Sequence, residues 1–138
     1  MKTLSAEAEN AMVERFGKDT VIALATVENE VPYVRYVNAY YENGAFYIIT
    51  HARSKKMKHI EKNPDIAIAG EWFTAHGKGI NLGYLGKEEN VLLAEKLINV
   101  FSEWIGNGHA DLSDESTIIL RAELTDGVLL SHGTRYDF

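Results

Sequence analysis

Three stretches in close succession decide the fold: Val21-Ile-Ala-Leu-Ala-Thr-Val27, Val31-Pro-Tyr-Val-Arg-Tyr-Val-Asn-Ala-Tyr-Tyr41 and Phe46-Tyr-Ile-Ile-Thr50. β-Branched and aromatic residues dominate them, which marks strands. The first is apolar on both faces. Pro32 stands near the start of the second, where a missing N–H is tolerated. Glu28-Asn-Glu30 is a polar turn between the first two. Asn43-Gly44 then joins the second to the third, and Asn-Gly suits a type I′ turn because both central residues need positive φ. An antiparallel meander of three strands is predicted.

Upstream, Ser5 to Phe16 reads as a helix with Ala8, Met12 and Phe16 on one face, ended by Gly17,. Downstream, a short helix runs from Lys55 to Lys62 with Ser54 as its N-cap and Met57 and Ile60 turned inward,. Asn63-Pro64 stops it, since a residue before proline avoids the helical region. Ile66–Phe73 and Lys78–Leu85 read as two more strands. A long helix is expected over Lys87–Ile105, with a buried stripe of Val91, Ala94, Ile98, Phe101 and Ile105,. Gly106-Asn-Gly108 ends it. Thr117–Thr125 and Val128–His132 read as a last hairpin turning at Asp126-Gly127,. Strands come in runs, not in β-α-β alternation. The fold is therefore read as mainly β (α+β), a small antiparallel barrel of six to seven strands with flanking helices, in one domain over residues 1–138,.

Composition removes several functions. The absence of Cys excludes disulfides, thiolate metal sites and cysteine nucleophiles,. A net charge of −6 disfavours general binding of nucleic acid or of an anionic membrane,. No apolar run approaches the ~20 residues of a membrane helix. The N-terminus carries Glu7 and Glu9 and no apolar signal segment, so a cytoplasmic protein is expected,.

Basic charge is concentrated in one place. Residues 53–62 carry Arg53, Lys55, Lys56, Lys58 and Lys62 in a chain that is acidic overall. Lys55 and Lys56 fall in the first turn of a helix, where the dipole disfavours cations. A bound anion would compensate, held by free N–H groups, the Ser54 hydroxyl and two ammonium groups. The plain alternative is a solvated basic helix. Arg35 is a second anomaly, a cation inside the apolar and aromatic run Tyr33-Val-Arg-Tyr-Val37. It reads either as an edge-strand gatekeeper or as a ligand for a bound anion, for which its fork suits phosphate.

Other motifs fail on spacing. Gly77-Lys-Gly-Ile-Asn-Leu-Gly83 lies in a strand, and its third Gly is one residue late for a dinucleotide fingerprint,. Gly86-Lys87 is followed by Glu88, where a phosphate loop needs Ser or Thr. The histidines at 51, 59, 76, 109 and 132 show no metal-binding spacing, and no metal site is expected,. Asp111 and Asp114 read as a turn cluster.

The stretch Val21–Phe73 resembles the flavin-binding split barrel of the pyridoxamine 5′-phosphate oxidase-like family. The resemblance is carried by Pro32-Tyr-Val-Arg-Tyr-Val37, Tyr47-Ile-Ile-Thr50, Ser54-Lys-Lys56 and Ile60 through Asn63-Pro64. It implies a split barrel that binds flavin mononucleotide (FMN), with Arg35 and Lys56 as phosphate ligands, Lys55 beside them and Ser54 in the same motif. It also implies that the backbone from Arg35 through Tyr36 to Val37, and from Ile49 to Thr50, lines the isoalloxazine. Lys78 loosely matches a polar residue that reaches the flavin. A homodimer with each flavin between two subunits is implied as well. The oxidase proper has Lys five residues after the strand Arg, where this chain has Tyr40, and a downstream Arg that this chain lacks in its third helix. The expected function is thus an FMN-dependent oxidoreductase of unknown small-molecule substrate and unknown catalytic residues, not a vitamin B6 oxidase. Two other classes stand beside it: a flavin-binding store or sensor without turnover, and a haem-binding split barrel using His76 or His132.

Overall fold

The computed structural model describes residues 4–138, apart from the side chain of His109. The predicted meander is present. β1 (Thr20–Glu28) pairs antiparallel with β2 (Val31–Glu42), and β2 with β3 (Ala45–His51). Asn43 (φ 45°) and Gly44 (φ 83°) both take the left-handed conformation that their turn requires,. β4 (Asp65–Gly70) and β5 (Phe73–Tyr84) follow, and β6 (Thr117–Ser131) and β7 (Thr134–Asp137) end the chain. The strand order is β3-β2-β1-β4-β5-β6-β7, and β3 also pairs with β6. That pairing closes six strands into an antiparallel barrel and leaves β7 as an extra strand.

Alternate residues of each strand point inward. Ile22, Leu24, Phe46, Ile48, Ile66, Ile68 and Phe73 share one buried core,. α1 (Ala6–Phe16) adds Met12 and Phe16, both fully buried, and the Phe16 ring centroid lies 5.4 Å from that of Phe46 and 5.1 Å from that of Phe73. Ser5 caps this helix by accepting from the Ala8 N–H,. α2 (Lys55–Lys62) packs on β1 and β5 and adds Met57 and Ile60 to the core. Gly79 permits that approach, because a Cβ there would lie 2.9 Å from Ile60. A second core lies outside the barrel. There α3 (Val91–Val100) and the residues after it set Ala94, Leu97, Phe101 and Ile105 on the outward side chains Tyr40, Tyr47, Ile49 and Ile119.

Four expectations need correction. The helix expected over Lys87–Ile105 is a 3₁₀ turn at Glu88–Asn90 followed by α3 alone. Asn90 breaks it at the start, since its side-chain amide donates to the carbonyls of Leu82 and Tyr84. At the other end Phe101 leaves helical geometry and packs its ring against Trp104. In the expected stripe Val91 and Ile98 are exposed, and Leu97 is buried in their place. The hairpin expected at Asp126-Gly127 is absent, for β6 continues through it with only a shift of register against β5 beside it. Gly127 bonds Phe138 through both its N–H and C=O, with the Phe138 ring where a Cβ would stand. The chain turns instead at His132-Gly133, both at positive φ. Phe73 opens β5 instead of closing β4, because the turn falls at Glu71-Trp72 with Trp72 at φ 53°. Finally, Ser54 occupies the N-cap position of α2, but its side chain makes no capping bond. Among the described residues, no helix is long and apolar enough to cross a membrane.

Candidate functional site

β2 and β3 share a ladder only where Tyr40, Tyr41 and Glu42 face Tyr47, Phe46 and Ala45. Before Tyr40, β2 follows β1, and after Tyr47, β3 follows β6. The barrel splits between them, with one backbone edge at residues 33–38 and another at 48–51. Register decides which side chains turn inward at the split. Tyr33, Arg35 and Val37 stand opposite Thr26, Leu24 and Ile22 and share their face,. Thr50 shares the inward face of Phe46 and Ile48.

The inward Arg35 is half-buried. Its Nη1 donates to the Leu24 carbonyl at 3.1 Å and to Thr26 Oγ1 at 2.8 Å. A guanidinium has five N–H donors, so Nε and both hydrogens of Nη2 remain for a ligand. Lys56, in the first turn of α2, donates from Nζ to Thr50 Oγ1 at 2.7 Å. Burial lowers the pKa of Arg35. Burial, then the charge of Arg35, lowers that of Lys56,. No carboxylate pairs with either cation among the described residues. Beside them the Ser54 hydroxyl is buried and meets no partner. Thr50, Ser54 and Lys56 line a cleft of about 360 Å³ whose far wall holds Trp104, Asp111 and Asp114. Both carboxylates are engaged: Asp111 accepts from Ser113, and Asp114 accepts from the Ser116 N–H and lies 3.4 Å from His51 Nε2.

Arg35 from β2 thus acts on the stretch Thr50–Lys56 that joins β3 to α2, and an orphaned hydroxyl beside cations with no paired carboxylate among the described residues is what an anion site requires,. Lys55 is exposed on the neighbouring surface of α2. Val37 is half-buried against the core, Ile49 is buried toward the outer core, and Tyr36 points outward, 81% exposed. Lys78 does not join the cluster within one chain. It projects from the outer face of β5 and is ion-paired with Asp65. Tyr40 is buried outside the barrel, with the Lys96 ammonium 5.7 Å from its ring centroid and paired to Glu42. His76 and His132 sit on exposed surface, paired with Asp126 and Glu14. No group of three potential metal ligands converges among the described residues, and the His109 side chain lies outside them. Thr26, bonded to Arg35, and His59, bonded to Thr26, are contacts that sequence reading missed. The available signal was a Thr at the third inward position of a strand whose first two are Ile22 and Leu24.

The outer sheet face has its own hollow, also about 360 Å³, lined by Ala23, Ala25, Val34, Ala67, Ala69 and Val128 among others. Val34 on this face is 70% exposed.

The fold recurs in solved structures. A NimC/NimA family protein from Clostridium acetobutylicum matches with TM-score 0.66 at 19% identity, covering 94% of this chain and 93% of that one. A FAD-binding protein from Mesorhizobium loti matches with TM-score 0.66 at 17% identity, covering 90% and 92%. A pyridoxamine 5′-phosphate oxidase-related, FMN binding protein from Nostoc punctiforme matches with TM-score 0.56 at 17% identity, covering 84% and 77%. At these identities the likeness is one of fold. No curated protein sequence matches the chain. The family model described as pyridoxamine 5′-phosphate oxidase matches residues 8–126, and the chain belongs to that family.

If the two cations lack an internal counterion, removing one relieves the ligand-free chain. Lys56→Met should stabilise it at neutral pH by roughly 0.5 kcal/mol, a figure reduced for the part of the charge still in water. The sign with pH follows from the lowered Lys56 pKa. The cost is fully present below the folded-state pKa, and it fades as pH rises toward the ordinary 10.5, where the folded chain has released a proton that the unfolded chain still holds,. The advantage of Lys56→Met should therefore shrink in that alkaline window. Urea midpoints at neutral and alkaline pH check this, and a destabilised variant at neutral pH would mean that Lys56 is already neutralised within the chain.

Proposed function

We propose that this member of the pyridoxamine 5′-phosphate oxidase family binds FMN and acts as an oxidoreductase on a small molecule other than pyridoxamine 5′-phosphate. The observation that carries this reading is the cleft in which Lys56, held on Thr50 at 2.7 Å and subject to the charge of Arg35, stands without a paired carboxylate among the described residues beside the buried and unpartnered Ser54 hydroxyl. A phosphate monoester meets every demand of that arrangement. Its charge neutralises both cations, Nε and Nη2 of Arg35 form a fork that fits two of its oxygens, and Ser54 gains a partner. The N-terminal amides of α2 point the same way. One anion site favours the monophosphate FMN over a dinucleotide. The diverging edges of β2 at Arg35–Val37 and β3 at Ile49–Thr50 offer backbone donors and acceptors to a flat heterocycle.

When bound, FMN supplies the hydride or electron transfer, and the chain supplies its position and electrostatic setting. Arg35 and Lys56 fix the phosphate end, Thr50 holds the Lys56 ammonium in place, and the split edges seat the ring. Tyr40 lies under the outer core, where it cannot clamp a substrate phosphate, and Lys96 beside it is occupied by Glu42. This supports a substrate other than the vitamin B6 phosphates.

The reading extends to a two-fold homodimer with the flavin between subunits. Val34 and Tyr36 stand 70% and 81% exposed beside an alanine-lined hollow on the outer sheet face, an apolar surface suited to a second copy,.

Two measurements test this function. Arg35→Ala and Lys56→Ala should each weaken FMN binding about tenfold or more and leave riboflavin, which lacks the phosphate, nearly unchanged. Equal affinity of the unaltered chain for FMN and riboflavin would contradict the phosphate site. For assembly, light scattering at micromolar concentration should give twice the chain mass of 15.5 kDa, and a 15.5 kDa species would rule the dimer out.

A further inference from the structure

Two polar side chains are sealed inside an otherwise apolar core behind Arg35. Thr26 is 0% exposed and His59 1% exposed. Thr26 continues the inward row of Ile22 and Leu24 on β1, and His59 stands on α2 between the core residues Met57 and Ile60. A Val and a Leu would fill this space without the cost of burying polar atoms, a cost offset only when those atoms are bonded. They are bonded, and in one direction. Arg35 can only donate, so Thr26 Oγ1 accepts from Nη1 at 2.8 Å,. The hydroxyl hydrogen of Thr26 is fully buried, and the acceptor within its reach among the described residues is His59 Nδ1, also at 2.8 Å. Nδ1 therefore accepts, and the ring proton resides on Nε2, 3.6 Å from a carboxylate oxygen of Glu28. The Tyr33 ring, its centroid 4.8 Å from that of His59, covers the imidazole.

We infer that Thr26 and His59 are positioning residues for Arg35: the chain Glu28, His59, Thr26, Arg35 fixes the guanidinium so that its Nε and Nη2 edge is presented to the phosphate of the cofactor. The inference rests on Arg35 being a phosphate ligand, as proposed above. With the Leu24 carbonyl holding the other Nη1 hydrogen at 3.1 Å, both hydrogens of Nη1 are committed. The guanidinium plane is then set before any ligand arrives, and less freedom is lost when one binds. His59 acts only through Thr26. Its role is to accept the hydroxyl hydrogen, so that the Thr26 lone pairs face Arg35.

The test compares Thr26→Val, which keeps the shape and loses the hydroxyl, with Thr26→Ser, which keeps the hydroxyl. FMN and riboflavin are titrated against each. Thr26→Val should bind FMN roughly tenfold more weakly while riboflavin changes less than about twofold, and Thr26→Ser should restore most of the FMN affinity. Equal losses for both flavins, or no loss for FMN, would overturn the positioning role while leaving Arg35 as a ligand intact. If the unaltered chain itself failed to prefer FMN, the phosphate site would fall and the inference with it. A measurement on the unaltered, ligand-free chain guards against a misfolded variant: the ¹⁵N shifts of His59 should report the tautomer protonated at Nε2 and bare at Nδ1. A proton found on Nδ1 would overturn the inference, whatever the flavin titrations show.

Discussion

Two like charges held close together in a half-buried place are the constraint around which this molecule is arranged. Burial alone pushes Arg35 toward its neutral form, and Lys56 is pushed by burial and by Arg35 together. The chain supplies hydrogen-bond acceptors, from Leu24, Thr26 and Thr50, but no paired carboxylate among the described residues. Acceptors hold the cations in place without cancelling their charge. The split between β2 and β3 belongs to the same arrangement. A ladder continued past Tyr40 and Tyr47 would join the two strand edges and close the space beside Arg35 and Thr50.

Much of the fold was legible because local chemistry agrees with tertiary placement over the first half of the chain. The turn at Asn43-Gly44 needs the positive φ that those residues tolerate, and the β-branched and aromatic runs of β1 to β3 adopt the extended backbone that such residues favour,. Legibility failed where long-range contacts overrode local signals. Asp126-Gly127 reads as a turn, yet the Phe138 ring requires a glycine in mid-strand there, and its bonds to Gly127 carry β6 on past a bulge at Thr125. Asn90 reads as one more helical residue, yet its amide is spent on two carbonyls at the end of β5. Neither contact is visible without the fold.

The site divides in the same way. Arg35 and the Ser54-Lys55-Lys56 run stood out because each breaks a local rule, a cation in an apolar strand and cations at a helix N-terminus. The structure sets the charge of Arg35 on β2 near Lys56 at the junction of β3 and α2, a nearness that the intervening turn and strand hide in the sequence. Lys78 was matched by position alone, and it is held on the outer face by Asp65. Thr26 and His59 escaped notice because a single Thr in a strand and a single His in a basic helix are unremarkable until the register sets one against the other.

On the function proposed above, the split of the barrel holds a flavin by its single phosphate. The most direct measurement is the visible absorption spectrum of the protein as purified, with the mass of whatever it releases on denaturation. A flavin spectrum with FMN as the released species is the predicted result. A haem spectrum, or release of riboflavin in place of FMN from a protein offered both, would contradict it.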